Sequence, residues 1–336
     1  MTRLERRTRR ARTAAASALL VCVLALGACA APLPEPTPDA VPAVPPPATS
    51  VAQSTDVLAD LGAVLEAADA ALDPALLRPR VFGPALAIRR AEYVRAEATD
   101  GDRPPTALPT AAQTLIVPMT DEWPRTQMVV TEQPDDLQAP RILVLTQAEP
   151  RENYRLWGWA RLGQGVQMPA TAEPTTGSAP VAPDAEGLVV TPVQALEQYA
   201  DLLARGADSE YVDTFTEDFF RTGIEEARAQ YSENVEAVGS IDETYTAVPT
   251  SVVALATADG GAIVVGRLET VTTLTLTEGS LTLDATDRAL SGESSVTDHL
   301  TYTWADVLAF YVPPAGSDAQ VQVLAGEHAR TEVSGE

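Results

Sequence analysis

The chain has 336 residues, a formal net charge of −24, two cysteines and two histidines. A surface of this sign repels a phosphate backbone, which excludes nucleic acid as a partner, and Cys22 and Cys29 leave no disulfide framework for a folded domain. The 23 basic residues are all arginine, as codon usage in a GC-rich genome would give.

The N-terminus carries Arg3, Arg6, Arg7, Arg9, Arg10 and Arg12, then an apolar stretch from Thr13 to Ala28, then Leu26-Gly27-Ala28-Cys29. This order resembles the signal and lipobox of a bacterial lipoprotein. The resemblance implies a signal peptide over residues 1–28, cleavage before Cys29 and a lipid on its thiol. The protein is then expected at the extracytoplasmic face of the cell membrane, with the membrane as a partner through that lipid. The 16-residue apolar stretch suits a cleaved signal better than a spanning helix, which needs about 20 residues. An uncleaved anchor would also place the rest of the chain outside the cytoplasm.

Residues 29–50 are rich in proline and cannot bury a core, so the lipidated cysteine is followed by a disordered, extended tether. A second composition shift at 169–186, rich in Pro, Ala, Thr and Ser, sets the expected organisation. A first α+β domain spans 51–172, a linker 173–186, a second α+β domain 187–330 and a tail 331–336. Acidity is concentrated in the second part, where residues 183–336 hold 27 Asp and Glu against 6 Arg. Residues 51–172 hold 16 against 11.

In the first part, Val57, Leu61, Val64, Leu65, Ala68 and Leu72 mark an amphipathic helix. A short helical stretch follows at Pro74 to Leu77, and Pro84 to Ala98 reads as helix or strand. Strands are expected at Thr114 to Met119, Gln127 to Thr131, Ile142 to Thr146 and Tyr154 to Leu162. The second part opens on Thr191-Pro192-Val193-Gln194, a capping box with proline at the first helical position, and Gly206 ends the helix. Ser209 to Val238 reads as two shorter helices. Strands at Ser251 to Ala256 and Ala262 to Leu268 flank an Asp259-Gly260 turn. Further strands are expected at Thr270 to Thr277, Ser280 to Leu283, Ser294 to Thr303, Val307 to Val312 and Ala319 to Leu324.

Helices followed by a meandering antiparallel sheet, twice over, describe an α+β protein. This order resembles two tandem nuclear-transport-factor-2-like or cystatin-like domains. With the lipobox and the stretch Glu122-Trp123-Pro124-Arg125-Thr126, the chain resembles an actinobacterial lipoprotein family of unknown function. The resemblance implies sheets curled into cones whose mouths can hold a ligand, and it brings no activity to carry over.

Chemistry is sparse. Asp298-His299 lies in or beside a strand, where neighbouring side chains point apart, and His328 lies in a polar C-terminus. No spacing suits a metal or a nucleotide, so no cofactor, metal site or catalytic residue is expected. The stretch with most character is aromatic and cationic: Trp123, Arg125, Arg155, Trp157 and Trp159 form a candidate binding surface, or else close the core. The expected function is a non-catalytic binding or assembly module of the cell envelope that recruits an envelope protein. The alternatives are a small-molecule or lipid carrier using a cone, and an enzyme of the same fold.

Overall fold

The computed structural model describes residues 44–133, 138–235 and 238–336. Cys29, the expected signal peptide and the expected tether as far as residue 43 lie outside the described residues, while the end of that tether is ordered: Pro47 bridges Met119 and Thr49 is buried. Among the described residues are five α-helices and twelve strands: α1 (Val51–Ala71), α2 (Gly83–Ala98), β1 (Ala112–Ile116), β2 (Arg125–Thr131), β3 (Arg141–Gln147), β4 (Arg155–Leu162) and β5 (Pro180–Val181) come first. They are followed by α3 (Pro192–Arg205), α4 (Phe219–Val235), β6 (Gly239–Ala247), β7 (Val253–Ala256), β8 (Ala262–Leu276) and β9 (Leu281–Thr282). The last elements are α5 (Ala285–Ser291), β10 (Ser295–Val296), β11 (His299–Val312) and β12 (Gln322–Gly335).

Local signals start the helices. Ser50 and Gln53 form a capping box ahead of α1, and Thr191 and Gln194 form one ahead of α3. Each pair satisfies two backbone donors that the first turn would otherwise leave without partners. In α1 the buried residues Leu58, Leu61, Leu65 and Ala68 recur every three or four positions and lay one stripe on the sheet. Pro84 starts α2, which settles 84–98 as helix.

Ten strands form one antiparallel sheet in the order β1-β2-β3-β4-β12-β11-β8-β7-β5, with β6 paired to the far half of β8. The two parts of the sequence therefore share a sheet. Their joint is short, with Ala325 opposite Leu162 and Gly326 opposite Arg161. The expected boundary at 173–186 falls inside one compact unit, Val44–Glu336. Both parts feed one core, with Ile88 and Val144 from the first packed with Val265 and Val307 from the second.

The sheet is buried on both faces. One core contains Leu58, Leu61 and Ile88 from α1 and α2, together with Val144, Ile263, Val265 and Val307 from the sheet. A second contains Leu196, Tyr199 and Leu203 from α3, Phe215 from the loop before α4, and Val264, Leu308 and Phe310. Alternate residues of β8 and β11 feed the two cores, as the period of a strand requires. This is why β11 reads as a continuous apolar run from Val307 to Phe310.

Several expected boundaries change. Residues 262–268 and 270–277 are one strand, β8, and the stretches at 294–303 and 307–312 merge into β11 apart from the short β10. Residues 219–235 form one helix, not the second of two short ones, while Val212–Thr214 is a single 3-10 turn. Strand β6 and helix α5 were not expected. Residues 331–336, expected as a tail, are strand through Gly335.

Candidate functional site

Beyond Gly326, β12 leaves β4 and pairs with β11 alone, so the sheet forks. Neighbouring residues on β12 project to opposite faces here. His328 turns to the side of β11 that carries Trp304 and Asp306. Its Nδ1 donates to Asp306 Oδ1 at 2.5 Å, and Thr270 Oγ1 donates to Asp306 Oδ2 at 2.5 Å. Asp306 is fully buried, and His328 keeps part of its side chain exposed. The imidazole lies on the Trp304 indole with ring centroids 4.1 Å apart. Trp304 Nε1 donates in turn to Thr272 Oγ1 at 3.2 Å, and Thr272 Oγ1 donates to Glu243 Oε1 at 3.1 Å. A buried carboxylate thus fixes the imidazole from one side and an indole from its face. That arrangement holds a histidine for binding or for proton transfer.

Glu327 turns the other way, towards α2. Its Oε2 is closed off from solvent and has no hydrogen-bond partner, although the residue as a whole is only half-buried. Burial raises its carboxyl above the usual range; Arg161 opposes this, Glu92 adds to it, and Arg141 and His328 also oppose it.

A cavity of about 230 Å³ wraps the free edge of β12 at this fork. Helix α2 contributes Glu92 and Arg95, the following loop Arg103, β4 Arg161, and β12 Glu327, His328 and Arg330. Four arginines against two glutamates line it, in a chain of net charge −24. Arg330 pairs with Asp287 of α5 and lies over the Trp304 ring, 5.2 Å from its centre. Arg95 donates to the Pro104 carbonyl at 2.9 Å and lies 3.7 Å from Glu92, with burial lowering its pKa. A larger cavity of about 670 Å³ beside β1 and β4 has no ionisable side chain among its described lining residues, so the fork is the better candidate.

Residues 45–335 match a family described as a domain of unknown function, DUF8094. The chain belongs to this family. No curated protein and no solved structure matches it. The match embraces both parts of the sequence and every residue of the fork.

In this DUF8094 chain the five residues of the expected binding surface do not form one patch. Arg125 lies over the Trp123 ring at 3.8 Å, with Trp123 Nε1 donating to Gln147 Oε1 at 3.3 Å. Arg155 lies over the Phe82 ring at 4.5 Å. Trp159 is buried in the core beneath Arg89, and Trp157 packs on Gly83, where a Cβ would meet its ring at 2.9 Å. Only Trp123 of the five is among the exposed large hydrophobic residues.

The expectation that Asp298 and His299 point apart is corrected. Asp298 precedes β11, so strand alternation does not govern it, and its Oδ2 accepts from His299 Nδ1 at 3.1 Å. With Glu336 they form a surface cluster of ligating atoms within 4.8 Å of one another, a common state of exposed acidic groups without a metal. His328, expected in a ragged end, is a strand residue. Folding the expected strands Val307 to Val312 and Ala319 to Leu324 into a hairpin and extending it would have carried Asp306 beside His328, as the register does.

Proposed function

We propose that this is an exported, lipid-anchored protein of the cell envelope whose folded unit binds a small molecule in the fork cavity. The observation that carries the reading is the cavity itself, where charged groups from α2, β4 and β12 converge. Recruitment of an envelope protein, the other reading, would be favoured by a broad exposed apolar patch. The exposed large hydrophobic residues among those described are instead Val44, Val51, Leu76, Trp123, Phe219 and Val238, spread along the chain. No helix among the described residues is long and apolar enough to cross a membrane; the proposed attachment is through a lipid on Cys29. We read the fold as two units of nuclear-transport-factor-2-like or cystatin-like plan that have merged their sheets at β4 and β12. Helices preceding an antiparallel sheet in each part support this.

The test is extraction of full-length protein from membranes of producing cells, followed by mass spectrometry of co-purified small molecules. A stoichiometric ligand is expected. Its absence, together with a crosslinked envelope protein, would favour recruitment. The anchor is tested by metabolic lipid labelling, which should mark the wild type and not Cys29→Ser. A second reading, acid–base catalysis, is favoured by the His328–Asp306 pair. Recovery of the ligand unchanged after prolonged incubation would oppose it.

A further inference from the structure

We propose that the ligand of the fork cavity carries an oxyanion, a carboxylate or a phosphate, gripped by Arg103 and Arg161 above the Glu327 carboxyl. This rests on the small-molecule reading and narrows it to one chemical class.

The argument starts from which cations are already committed. Of the four arginines lining the cavity, Arg330 is held by Asp287, and Arg95 is held by Glu92 and two backbone carbonyls. The guanidinium groups of Arg103 and Arg161 make no hydrogen bond or ion pair among the described residues, and both are exposed. They come from different parts of the chain, the loop after α2 and the end of β4, yet line one cavity. A planar guanidinium presents parallel donors that match a carboxylate or phosphate in two-point contact. Elsewhere acidic residues dominate the chain, so an anion has few other places to settle.

Glu327 supplies the second, independent observation. The residue lines the cavity, and its Oε2, closed off from solvent, has no hydrogen-bond partner. The groups around it are Glu92 of α2, Arg161 of β4, Arg141 of β3 and His328 of its own strand. Burial disfavours the charged carboxyl there, which lessens its repulsion of an anion in the cavity. Two guanidinium groups without ion pairs, beside a carboxyl whose charge burial disfavours, suit an anion. A cationic ligand would meet repulsion, and a neutral one would leave both guanidinium groups without a counter-charge. The volume of about 230 Å³ lies below the roughly 300 Å³ at which pockets for drug-sized molecules begin, which suits a small metabolite.

The experiment is isothermal titration of the full-length protein in detergent, at low salt and pH 6. The probes are succinate and inorganic phosphate, with choline as a cationic control. At least one anion should bind while choline does not, and Arg161→Gln should weaken binding tenfold or more, with Arg103→Gln acting in the same direction. Glu327→Gln, which cannot carry a negative charge, should bind at least as tightly as the wild type. Wild-type affinity should fall relative to that of Glu327→Gln as pH rises, since titration of the probe itself is common to both proteins. Glycerol 3-phosphate and dihexanoylphosphatidylglycerol, compared side by side, separate a dissolved anion from a lipid headgroup. Failure of both anions to bind, or binding indifferent to Arg161→Gln in a variant with an unchanged melting curve, would overturn the proposal. A neutral or cationic molecule recovered with the protein would overturn it too while leaving the small-molecule reading intact.

Discussion

Trp304 lies flat against His328, the two ring planes 13° from parallel, while the same imidazole donates to the buried carboxylate of Asp306. The three side chains come from β11 and β12, so strand register alone sets their arrangement. Across the hairpin Asp306 faces His328 and Trp304 faces Arg330.

Asp306 is expected to matter more for stability than its partners. It is fully buried and accepts from both Thr270 and His328. Hydrogen bonds to charged groups contribute about 1.5–3 kcal/mol each, and an orphaned buried donor adds to the loss. Asp306→Ala should cost about 3 kcal/mol in urea unfolding, and His328→Gln less. Equal costs for the two variants would contradict this ranking.

Glu327 should make stability depend on pH. Its folded pKa is raised, chiefly by burial, so the folded state holds the proton more tightly than the unfolded chain. Wild-type stability is then lost as pH rises from the ordinary carboxylate range through the raised value. Glu327→Gln should match the wild type near pH 3.5 and exceed it at pH 8. A difference that shrinks with rising pH would show the carboxyl to be held in its charged form.

Phe310 anchors the second core. It is fully buried and meets Tyr199 edge-on with centroids 5.2 Å apart. Phe310→Ala should cost about 3–5 kcal/mol, the range for a large buried aromatic. A loss under 1 kcal/mol in denaturant titration would mean that α3 collapses into the vacated space.

Gly326 is small because α4 crosses it. A Cβ there would lie 2.3 Å from Phe220, and one at Gly163, just past the end of β4, 2.4 Å from Phe219. Gly326→Ala should cost about 1–3 kcal/mol, the scale of overpacking, and raise hydrogen exchange at the start of α4. Combining it with Phe220→Leu should recover part of the loss. No recovery would place the strain in the β12 backbone.

Where local chemistry decides structure, the sequence was readable. The Thr191–Gln194 capping box, the α1 stripe and the Asp259-Gly260 turn each need only a few neighbouring residues, and each element appears as expected. Strand β6 was hidden because Glu243 occupies a position on its inner side. Alternation that is apolar elsewhere is interrupted there by a carboxylate that accepts from Arg228 Nε at 2.7 Å. The fork was hidden for a different reason. Glu327, His328 and Arg330 look like a solvated end until the partners Asp306, Trp304 and Asp287 are brought in from remote positions. The merged sheet depends on the two-residue joint at Leu162 and Arg161, which no periodicity marks.

That joint sets the order in which the protein can be completed. Strand β4 already pairs with β3, and its other edge is closed at Arg161 and Leu162 only when Ala325 and Gly326 arrive, long after Leu162 in the chain. Closing so long a loop is entropically expensive and slows folding. Until it closes, one edge of β4 stays open to pairing with other chains. For a chain that emerges N-terminus first, β1 to β4 must wait with that edge unprotected, and the interval before closure is when a chaperone would have most to gain by holding it.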